Sequence, residues 1–487
     1  MPNPATPLDL RQAAKEVMAE YGFDPDFPPA AQQQLAKLQN RPPDTSPNAK
    51  IRDLRNLLWS SIDNDTSRDL DQIEVAQQMA GDQMRIMIGI ADVDAFVPKD
   101  SPIDQHAARE TTTVYTGVRI FPMLPEKLST GATSLLEGAD RLAIIIEFVA
   151  NADGTIDSSD VYGGVVRNRA QLTYDAVGAW LEGRGRVPAK MASSADLQQQ
   201  LRLQDRIAQA LRNQRHQHGA LDIETTEVRP VILNQKIVDI ARQEKNRATE
   251  LIEDFMIAAN SVVARQLGNV PSIRRVVKTP ERWDRIVQLA ATHGYELPAQ
   301  ADSKALNDFL SSSKVADPDH FPDLSLAIIK LMGPGEYVVE RPGDPGQGHF
   351  GLAVQDYTHS TAPNRRFADI VTQRLIKAEI GGRPVGYSEE ELDGIAQNCT
   401  RKEDAARKVE REVSKRMAAV AMSGRLGQDF DGIVTGVTSH GTFVRVLPPR
   451  VEGMLARGGQ GLDVGDKLRV KLLRTDPQHG YIDFERA

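Results

Sequence analysis

The chain has 487 residues, 40% of them hydrophobic and 26% charged, and its formal net charge is −8. Its single cysteine, Cys399, excludes an intramolecular disulfide framework and a cysteine-based zinc site. The sequence shows neither an apolar run of about 18 residues nor a secretory leader, so no membrane span is predicted and a cytoplasmic protein is expected. The acidic balance does not by itself favour a nucleic-acid partner, but residues 396–425 are locally basic.

The first part of the chain has a helical texture. Apolar residues recur at helical spacing over residues 8–21 and 29–38, and a proline-rich linker follows from Pro42 to Pro47. Residues 1–48 are therefore predicted to form a small helical module, and a helix-turn-helix is one arrangement that this pattern allows.

The middle of the chain, residues 49–425, mixes strand and helix patterns. A dense apolar stretch near residue 255 predicts a central buried helix. A segment rich in Gly and Pro, residues 333–351, is predicted to be a long loop. The main predicted strands are 84–91, 141–150 and 161–166, and the main predicted helices are 193–214, 244–267, 366–380 and 389–424.

Residues 426–487 return to short alternating segments separated by glycine-rich turns. Five strands of this kind predict a small closed barrel. With the preceding domains, the pattern predicts an α+β protein in which a mixed β-sheet is surrounded by many helices.

The sharpest chemical signal is an acidic cluster in which Asp63, Asp65, Asp69 and Asp71 fall within nine residues. Two carboxylates about 4 Å apart repel each other by several kcal/mol, so such a cluster favours a cation. Oxygen ligands suit Mg²⁺ or Mn²⁺, which also support phosphoryl chemistry. Two other interpretations are a solvated loop of turn-forming residues and a calcium loop, although the EF-hand positions lack their Gly and Glu.

Further blocks accompany this cluster in a fixed order. With them, the chain resembles the ribonuclease II family over about residues 50–425, and several ordered blocks are more specific than one acidic cluster. The blocks that carry the resemblance are Arg52–Arg55, Ser61–Asp63, Asp69–Asp71, Thr112–Tyr115, Phe121–Glu126, Leu251–Asn260, His349–Leu352 and Tyr357–Asp369.

The resemblance implies a magnesium site, with Mn²⁺ as an alternative ion. Its ligands would be Asp63, Asp69 and Asp71, and Asp69, Asp71 and Arg365 would be catalytic. The family's fourth acidic position is occupied here by Gln72, whose carbonyl can bind a hard cation but brings no negative charge. This departure predicts weaker binding of one metal ion, a shifted metal preference, or an impaired catalyst.

The resemblance also implies contacts with RNA. Tyr115 would stack on a nucleotide near the 3′ end, unless it is a buried strand tyrosine. Arg365 would bind the phosphate near the cut through its planar fork, and the neighbouring Arg366 has either the same role or a structural one. Glu410 would contact the terminal nucleotide, and its alternative is an ordinary helical ion pair with Arg407.

The C-terminal strands resemble an OB-fold of the ribosomal S-one type. Such barrels bind single strands on an aromatic face, so His440, Phe443 and Phe430 are candidate base-stacking residues. Phe443 could instead belong to the barrel core, because alternate strand residues point inward.

Taken as a whole, the resemblance implies a processive 3′→5′ hydrolytic exoribonuclease that degrades single-stranded RNA to nucleoside 5′-monophosphates. A monomer with no obligate protein partner is expected. One alternative is an RNA-binding relative whose catalysis is impaired at Gln72. The other is a nuclease that acts mainly on structured RNA through its N-terminal module.

Overall fold

The computed structural model describes residues 8–40, 46, 51–224, 227–233, 236–243, 245–318, 320–447 and 449–487. Most of the predicted linker from Pro42 to Pro47, and the proposed boundary after residue 48, lie outside these ranges. In the part of the chain that is described, no helix has both the length and the apolar character that a membrane crossing requires.

The secondary structure alternates between helices and short strands. The helices are α1 (Leu10–Glu20), α2 (Pro29–Asn40), α3 (Pro102–Glu110), α4 (Tyr174–Leu181), α5 (Ala195–Gln217), α6 (Arg247–Gln266), α7 (Trp283–Thr292), α8 (Ser303–Ala316), α9 (Phe321–Met332), α10 (Phe367–Ile380) and α11 (Glu389–Met422). The strands are β1 (Ile51–Asp53), β2 (Ser60–Asp63), β3 (Gln72–Gln78), β4 (Met84–Ala91), β5 (Val114–Tyr115), β6 (Ile120–Phe121), β7 (Asp140–Ala150), β8 (Ile156–Arg167), β9 (Ala170–Thr173), β10 (Glu227–Leu233), β11 (Lys236–Gln243), β12 (Ser272–Val276), β13 (Glu336–Glu340), β14 (Asp429–Thr438), β15 (Gly441–Leu447), β16 (Val451–Arg457), β17 (Lys467–Asp476) and β18 (Tyr481–Arg486).

A seven-stranded mixed sheet forms the centre of the protein, with strand order β1-β8-β7-β4-β3-β2-β9. Strands β3, β4, β7 and β8 form antiparallel pairs, whereas β1 and β9 join the sheet in parallel. Strand β4 is buried on both faces, because Ile86, Ile88 and Ile90 on one face are 0% exposed and Met87 on the other is 4% exposed. The predicted mixed sheet surrounded by helices is confirmed.

Helix α6 packs on this sheet as the predicted central helix. Asn246 and Thr249 form a reciprocal capping box that fixes where the helix begins. Phe255 is fully buried and meets Phe148 of β7 edge to face, with 6.5 Å between ring centroids. Glu253, two residues before Phe255 on α6, lines a cavity of the site described below.

The prediction of a continuous loop over residues 333–351 is wrong for Glu336–Glu340, which forms β13 and pairs antiparallel with β12. Strand β13 forms here because it supplies the partner of a buried charge on β12. The side chain of Arg274 is 3% exposed, and its Nε donates to Glu340 Oε1 at 3.0 Å. A buried guanidinium needs such a partner, so the ion pair and the ladder stabilise each other.

The two N-terminal helices bury their apolar faces against distant parts of the chain. Val17 and Met18 of α1 share a hydrophobic cluster with Val409 and Val413 of α11. Ala31 of α2 is fully buried in the cluster that surrounds the central sheet. The N-terminal helices are therefore held by tertiary packing, as is usual for short helices.

The predicted five-stranded barrel is confirmed. Its strands close in the order β14-β15-β16-β18-β17. Ala419 and Met422, at the end of α11, belong to the same buried cluster as the barrel core. Arg445 of β15 also donates to Asp323 of α9 at 2.8 Å. The long helix and this ion pair together fix the barrel to the larger domain.

Candidate active site

Hydrogen bonds to its backbone groups hold the acidic loop between β2 and β3 in place. Ser134 Oγ accepts from the Leu70 N–H at 2.9 Å and donates to the Arg68 carbonyl at 2.6 Å. The Asp71 carbonyl accepts from the Ala91 N–H at 2.9 Å, which extends the β3–β4 ladder. These bonds fix the loop just before the strand, where Asp71 is only 3% exposed.

Asp71 meets a loop that comes from almost 300 residues further along the chain. Its Oδ1 accepts from the Asn364 N–H at 2.9 Å, and its Oδ2 lies 3.7 Å from Arg365 Nε. Thr133 Oγ1 donates to Asn364 Oδ1 at 2.6 Å and holds that loop. Burial raises the pKa of Asp71 to about 7, although Arg365 and the Asn364 N–H both act to lower it.

Tyr115 links two of the other predicted residues. Its hydroxyl donates to Asp69 Oδ2 at 3.1 Å, and its backbone N–H donates to Glu410 Oε1 at 3.2 Å. The tyrosine is 39% exposed, which contradicts the alternative that it is a core residue. Arg407 forms ion pairs with Glu403 and Asp404 on its own helix.

Asp63 and Gln72 border the same loop. Asp63 ends β2, and its Oδ1 accepts from the Asn64 N–H at 2.7 Å and from Ser67 Oγ at 2.9 Å. Gln72 is the first residue of β3 and is 9% exposed. Burial, together with the nearby charge of Asp69, raises the pKa of Asp63.

The chemistry of these carboxylates fits a hard divalent cation. Burial and the charge of Asp69 raise the pKa values of both Asp63 and Asp71, and a cation would offset both effects. Among the described residues, however, no three His, Cys, Asp or Glu side chains are already arranged to hold a metal ion. Asp69 instead accepts from the Tyr115 hydroxyl, and Asp71 faces Arg365.

Arg365 and Arg366 have different surroundings. The Arg365 side chain is 46% exposed beside Asp71. Arg366 instead forms two hydrogen bonds with Asp369, at 2.9 and 2.8 Å, and Asp369 also accepts from the Ala362 N–H at 2.8 Å. Asp369 is fully buried, so this contact favours the structural role for Arg366 over an RNA contact.

A cavity of about 230 Å³ adjoins Arg365 and leads along helix α6. Asn260 of α6 lines this cavity. The Oδ1 of Asn260 accepts from both the N–H and the Oγ of Ser360, at 2.8 and 2.9 Å. The other residues that line this cavity are Glu253, Met256, Ile257, Leu352, Tyr357, Thr361 and Arg366.

The barrel candidates lie in three different environments. His440 is exposed in the turn between β14 and β15, and Phe443 is partly exposed on β15. Phe430 is 8% exposed and packs edge to face on Phe484, with 6.3 Å between centroids. Phe430 is therefore a core residue, which corrects its prediction as a base-stacking residue.

Sequence reasoning missed the contact of Asn364 with Asp71 and the full burial of Glu74. Asn364 contributes through its backbone N–H, which any residue except proline could supply, so its side-chain type gave no signal. Glu74 gave a weak signal, since it is a carboxylate between the apolar residues Ile73 and Val75.

Removing the carboxylate of Asp71 should stabilise the metal-free protein at neutral and higher pH. The folded-state pKa of about 7 exceeds the ordinary value of 3.8, so between these values the folded protein binds more protons than the unfolded chain. Stability therefore falls as pH rises through this window. In EDTA, the Asp71→Asn variant should exceed the wild type by up to about 4 kcal/mol at pH 8 and by little at pH 4. Urea unfolding at several pH values measures this difference, and a difference that does not change with pH would contradict it.

Comparisons with known proteins give matches along most of the chain. Residues 51–382 match the RNB domain, and residues 428–487 match the RNase II-type exonuclease C-terminal S1 domain. Ribonuclease R 1 of Lactococcus lactis is 29% identical over an alignment that covers 96% of this chain and 60% of that protein. The chain thus spans about 60% of the length of this curated relative.

Solved structures share the fold. Mycoplasma genitalium RNase R in complex with ribose methylated single-stranded RNA has a TM-score of 0.86 at 21% identity, covering 98% of this chain and 78% of that one. Yeast Ssd1, a pseudonuclease, has a TM-score of 0.71 at 17% identity, covering 95% and 57%. The resemblance drawn from the sequence is confirmed. The match to the RNB domain covers residues 51–382, which is more than half of this chain, so the chain belongs to the RNB domain family.

Proposed function

We propose that this chain is a 3′→5′ hydrolytic exoribonuclease that degrades single-stranded RNA processively to nucleoside 5′-monophosphates. The observation that carries the proposal is the meeting of residues from four separate segments. Asp69 and Asp71 of the acidic loop contact Tyr115 and Arg365, and Glu410 contacts Tyr115. The ribonuclease R relative and the RNA bound to the M. genitalium protein support the choice of substrate.

Arg365 orients the phosphate that is cut. Its half-exposed guanidinium lies beside the buried Asp71, so a phosphate in the cavity can receive two parallel hydrogen bonds. Arg366 stabilises this arrangement, because its ion pair with Asp369 fixes the loop that carries Arg365. Arg366 is thus a positioning residue in this proposal.

Asp63, Asp69 and Asp71 would hold Mg²⁺, or Mn²⁺ in its place, with Gln72 offering its carbonyl oxygen. When bound, the ion would activate the attacking water and stabilise negative charge on the leaving oxygen. The attacking water would lose a proton as its oxygen bonds to phosphorus. The bond from phosphorus to the 3′ oxygen of the preceding nucleotide would break, and that oxygen would take up a proton. Asp71 would contribute by holding the ion beside Arg365, so that the positive charges of both meet the phosphate.

Tyr115 and Glu410 position the end of the RNA. The exposed tyrosine ring offers a stacking surface that accepts any base. Its hydroxyl and N–H are both hydrogen-bonded, which fixes the ring relative to Asp69. Glu410, which accepts from the backbone N–H of Tyr115, would accept from a hydroxyl of the terminal ribose as well.

The C-terminal barrel would add a second RNA-binding surface through His440 and Phe443, whose side chains are at least partly exposed. We also propose that the protein acts as a cytoplasmic monomer without an obligate protein partner. Its single cysteine, Cys399, is buried and fits a reducing compartment.

The catalytically impaired alternative is less well supported. Gln72 removes one carboxylate, but Asp63, Asp69, Asp71 and Arg365 are present and Asp71 and Arg365 lie together. A direct test is incubation with uniformly labelled single-stranded RNA, with Mg²⁺ or with EDTA. Release of nucleoside 5′-monophosphates in Mg²⁺ alone supports the exoribonuclease. Binding of RNA without any Mg²⁺-dependent release supports the impaired relative.

Tyr115→Ala should change how the enzyme treats short RNA. Loss of one base-stacking contact costs about 1–3 kcal/mol, or roughly 5- to 150-fold in affinity for short oligonucleotides. The final undegraded oligonucleotide should therefore become longer by denaturing gel analysis. Tyr115→Phe is the matched control, since it removes the bond to Asp69 and keeps the ring. Equal end products from wild type and Tyr115→Ala would contradict the stacking role.

A further inference from the structure

Tyr115 lies on a hairpin that is too short to hold its own position. Strands β5 and β6 have two residues each, and Val114 pairs with Phe121 as Tyr115 pairs with Ile120. An isolated two-stranded hairpin is marginally stable at best in water, so tertiary packing has to fix it. Val114 is 0% exposed and Phe121 is 2% exposed. The position of Tyr115 therefore depends on what covers these two side chains.

One buried cluster joins this hairpin to α11 and to the N-terminal helix α1. Its members are Ala14, Val17, Met18, Phe23, Val114, Phe121, Ala406, Val409, Val413 and Met417. Val409 directly precedes Glu410 in the chain, as Val114 directly precedes Tyr115. Helix α1 thus packs into the same core as the chain neighbours of both residues that are proposed to hold the 3′ end.

Hydrogen bonds connect the end of α1 to α11. Tyr21 Oη donates to Glu412 Oε2 at 3.3 Å, and Lys402 Nζ donates to the Gly22 carbonyl at 2.6 Å. The Lys402 ammonium also lies 4.2 Å from the centre of the Phe23 ring. Lys402 is 8% exposed, so these contacts replace the water that its charge would otherwise bind.

The same short segment is also bonded to the chain that leads to Tyr115. The Asp24 N–H donates to Glu110 Oε2 at 3.0 Å, and Lys402 Nζ lies 4.0 Å from Glu110 Oε1. Glu110 ends α3, five residues before Tyr115. Residues 21–24 therefore bridge the two elements that carry Tyr115 and Glu410.

We propose that the N-terminal segment, residues 10–24, positions Tyr115 and Glu410 relative to each other and so sets the shortest RNA that the enzyme can hold. This inference rests on the proposed function. Glu410 Oε1 accepts from the Tyr115 N–H at 3.2 Å, so a shift of either element by a few tenths of an ångström weakens the contact. Met18 of α1 is a positioning residue in this arrangement, since it acts through the packing of α11 and the hairpin.

The test compares Met18→Ala with Met84→Ala in the full chain. Both methionines are 2% exposed, but Met84 begins β4, about 23 Å along that strand from Ala91, which bonds to the acidic loop. Met18→Ala should weaken affinity for a short oligonucleotide on the order of tenfold, within the range given by loss of a stacking contact. Its final undegraded oligonucleotide should become longer, whereas Met84→Ala should give the wild-type product.

Affinity for long RNA should change much less in Met18→Ala, because it is spread over many phosphate contacts. Met18→Leu, which keeps the volume of the side chain, should retain the wild-type end product. Thermal unfolding shows whether Met18→Ala is folded. If it is not, Val17→Ala makes a smaller deletion in the same cluster and should give the same pattern.

A double variant separates positioning from a general loss of stability. Because Met18 acts through the Tyr115–Glu410 contact, Met18→Ala should weaken the short-RNA affinity of Tyr115→Ala by no more than about threefold. The full tenfold loss in that background, or a longer end product in Met84→Ala as well, would overturn the inference.

The same gels distinguish failure of this inference from failure of the proposed function. If the wild type degrades RNA and Tyr115→Ala alone lengthens the end product, the role of the N-terminal segment is wrong and the proposed function stands. If the wild type does not degrade RNA, the proposed function falls and the role of the N-terminal segment falls with it.

Discussion

Asp71→Asn is expected to slow nucleotide release by on the order of a thousandfold while RNA affinity changes little. Asp71 is almost fully buried, lies 3.7 Å from Arg365, and carries charge at the point where the phosphate would react. Asparagine keeps the size of the side chain and can still accept from the Asn364 N–H, but it loses the negative charge. Single-turnover rates with excess protein measure the chemical step, and fluorescence anisotropy measures RNA affinity.

Asp65→Asn is the matched control for this change. Asp65 belongs to the same acidic loop, but it is exposed and is not among the proposed ligands. The same chemical substitution there should leave the single-turnover rate close to that of the wild type. If both variants lose activity equally, the loop acts through its overall charge, and the specific role assigned to Asp71 is contradicted.

Arg365→Lys is expected to reduce the single-turnover rate by about a hundredfold. Lysine keeps the positive charge, but it lacks the planar fork that binds two phosphate oxygens at once. Because the Arg365 side chain is half-exposed, its replacement should leave the Tm nearly unchanged. Rates and thermal unfolding of the same preparation measure both effects.

The adjacent Arg366 provides the contrasting variant. Arg366→Ala leaves the fully buried Asp369 without its guanidinium partner, which should cost about 3–5 kcal/mol of unfolding free energy. If Arg365→Lys lowers stability as Arg366→Ala does, or if its activity is that of the wild type, the role of Arg365 in holding the phosphate is contradicted.

Local sequence patterns predicted the elements that have a strong periodicity. The apolar run at 84–91 coincides with β4, and the helical patterns at 244–267 and 389–424 correspond to α6 and α11 within a few residues. The barrel was predictable because alternation and glycine turns are local signals. By contrast, β13 was missed, since its pairing with β12 depends on the buried Arg274 from a distant segment.

The contacts of the candidate site depend on the tertiary fold. Tyr115 and Asp69 are 46 residues apart, and Asp71 and Asn364 are 293 residues apart. The family resemblance marked Tyr115, Arg365 and the acidic residues as a set, but only the folded chain shows which of them touch. It also separates Arg365 from Arg366, for which the sequence left open a phosphate contact or a structural role.

The most direct test of the central claim is a time course on single-stranded RNA labelled at its 5′ end. It compares the wild type with Asp71→Asn, each with Mg²⁺ and with EDTA. Stepwise shortening from the 3′ end by the wild type, in Mg²⁺ alone and abolished in the variant, is the result expected of an RNB-family exoribonuclease that tolerates Gln72. RNA that is bound but stays intact under every condition would contradict it and would indicate a protein that holds RNA without cutting it.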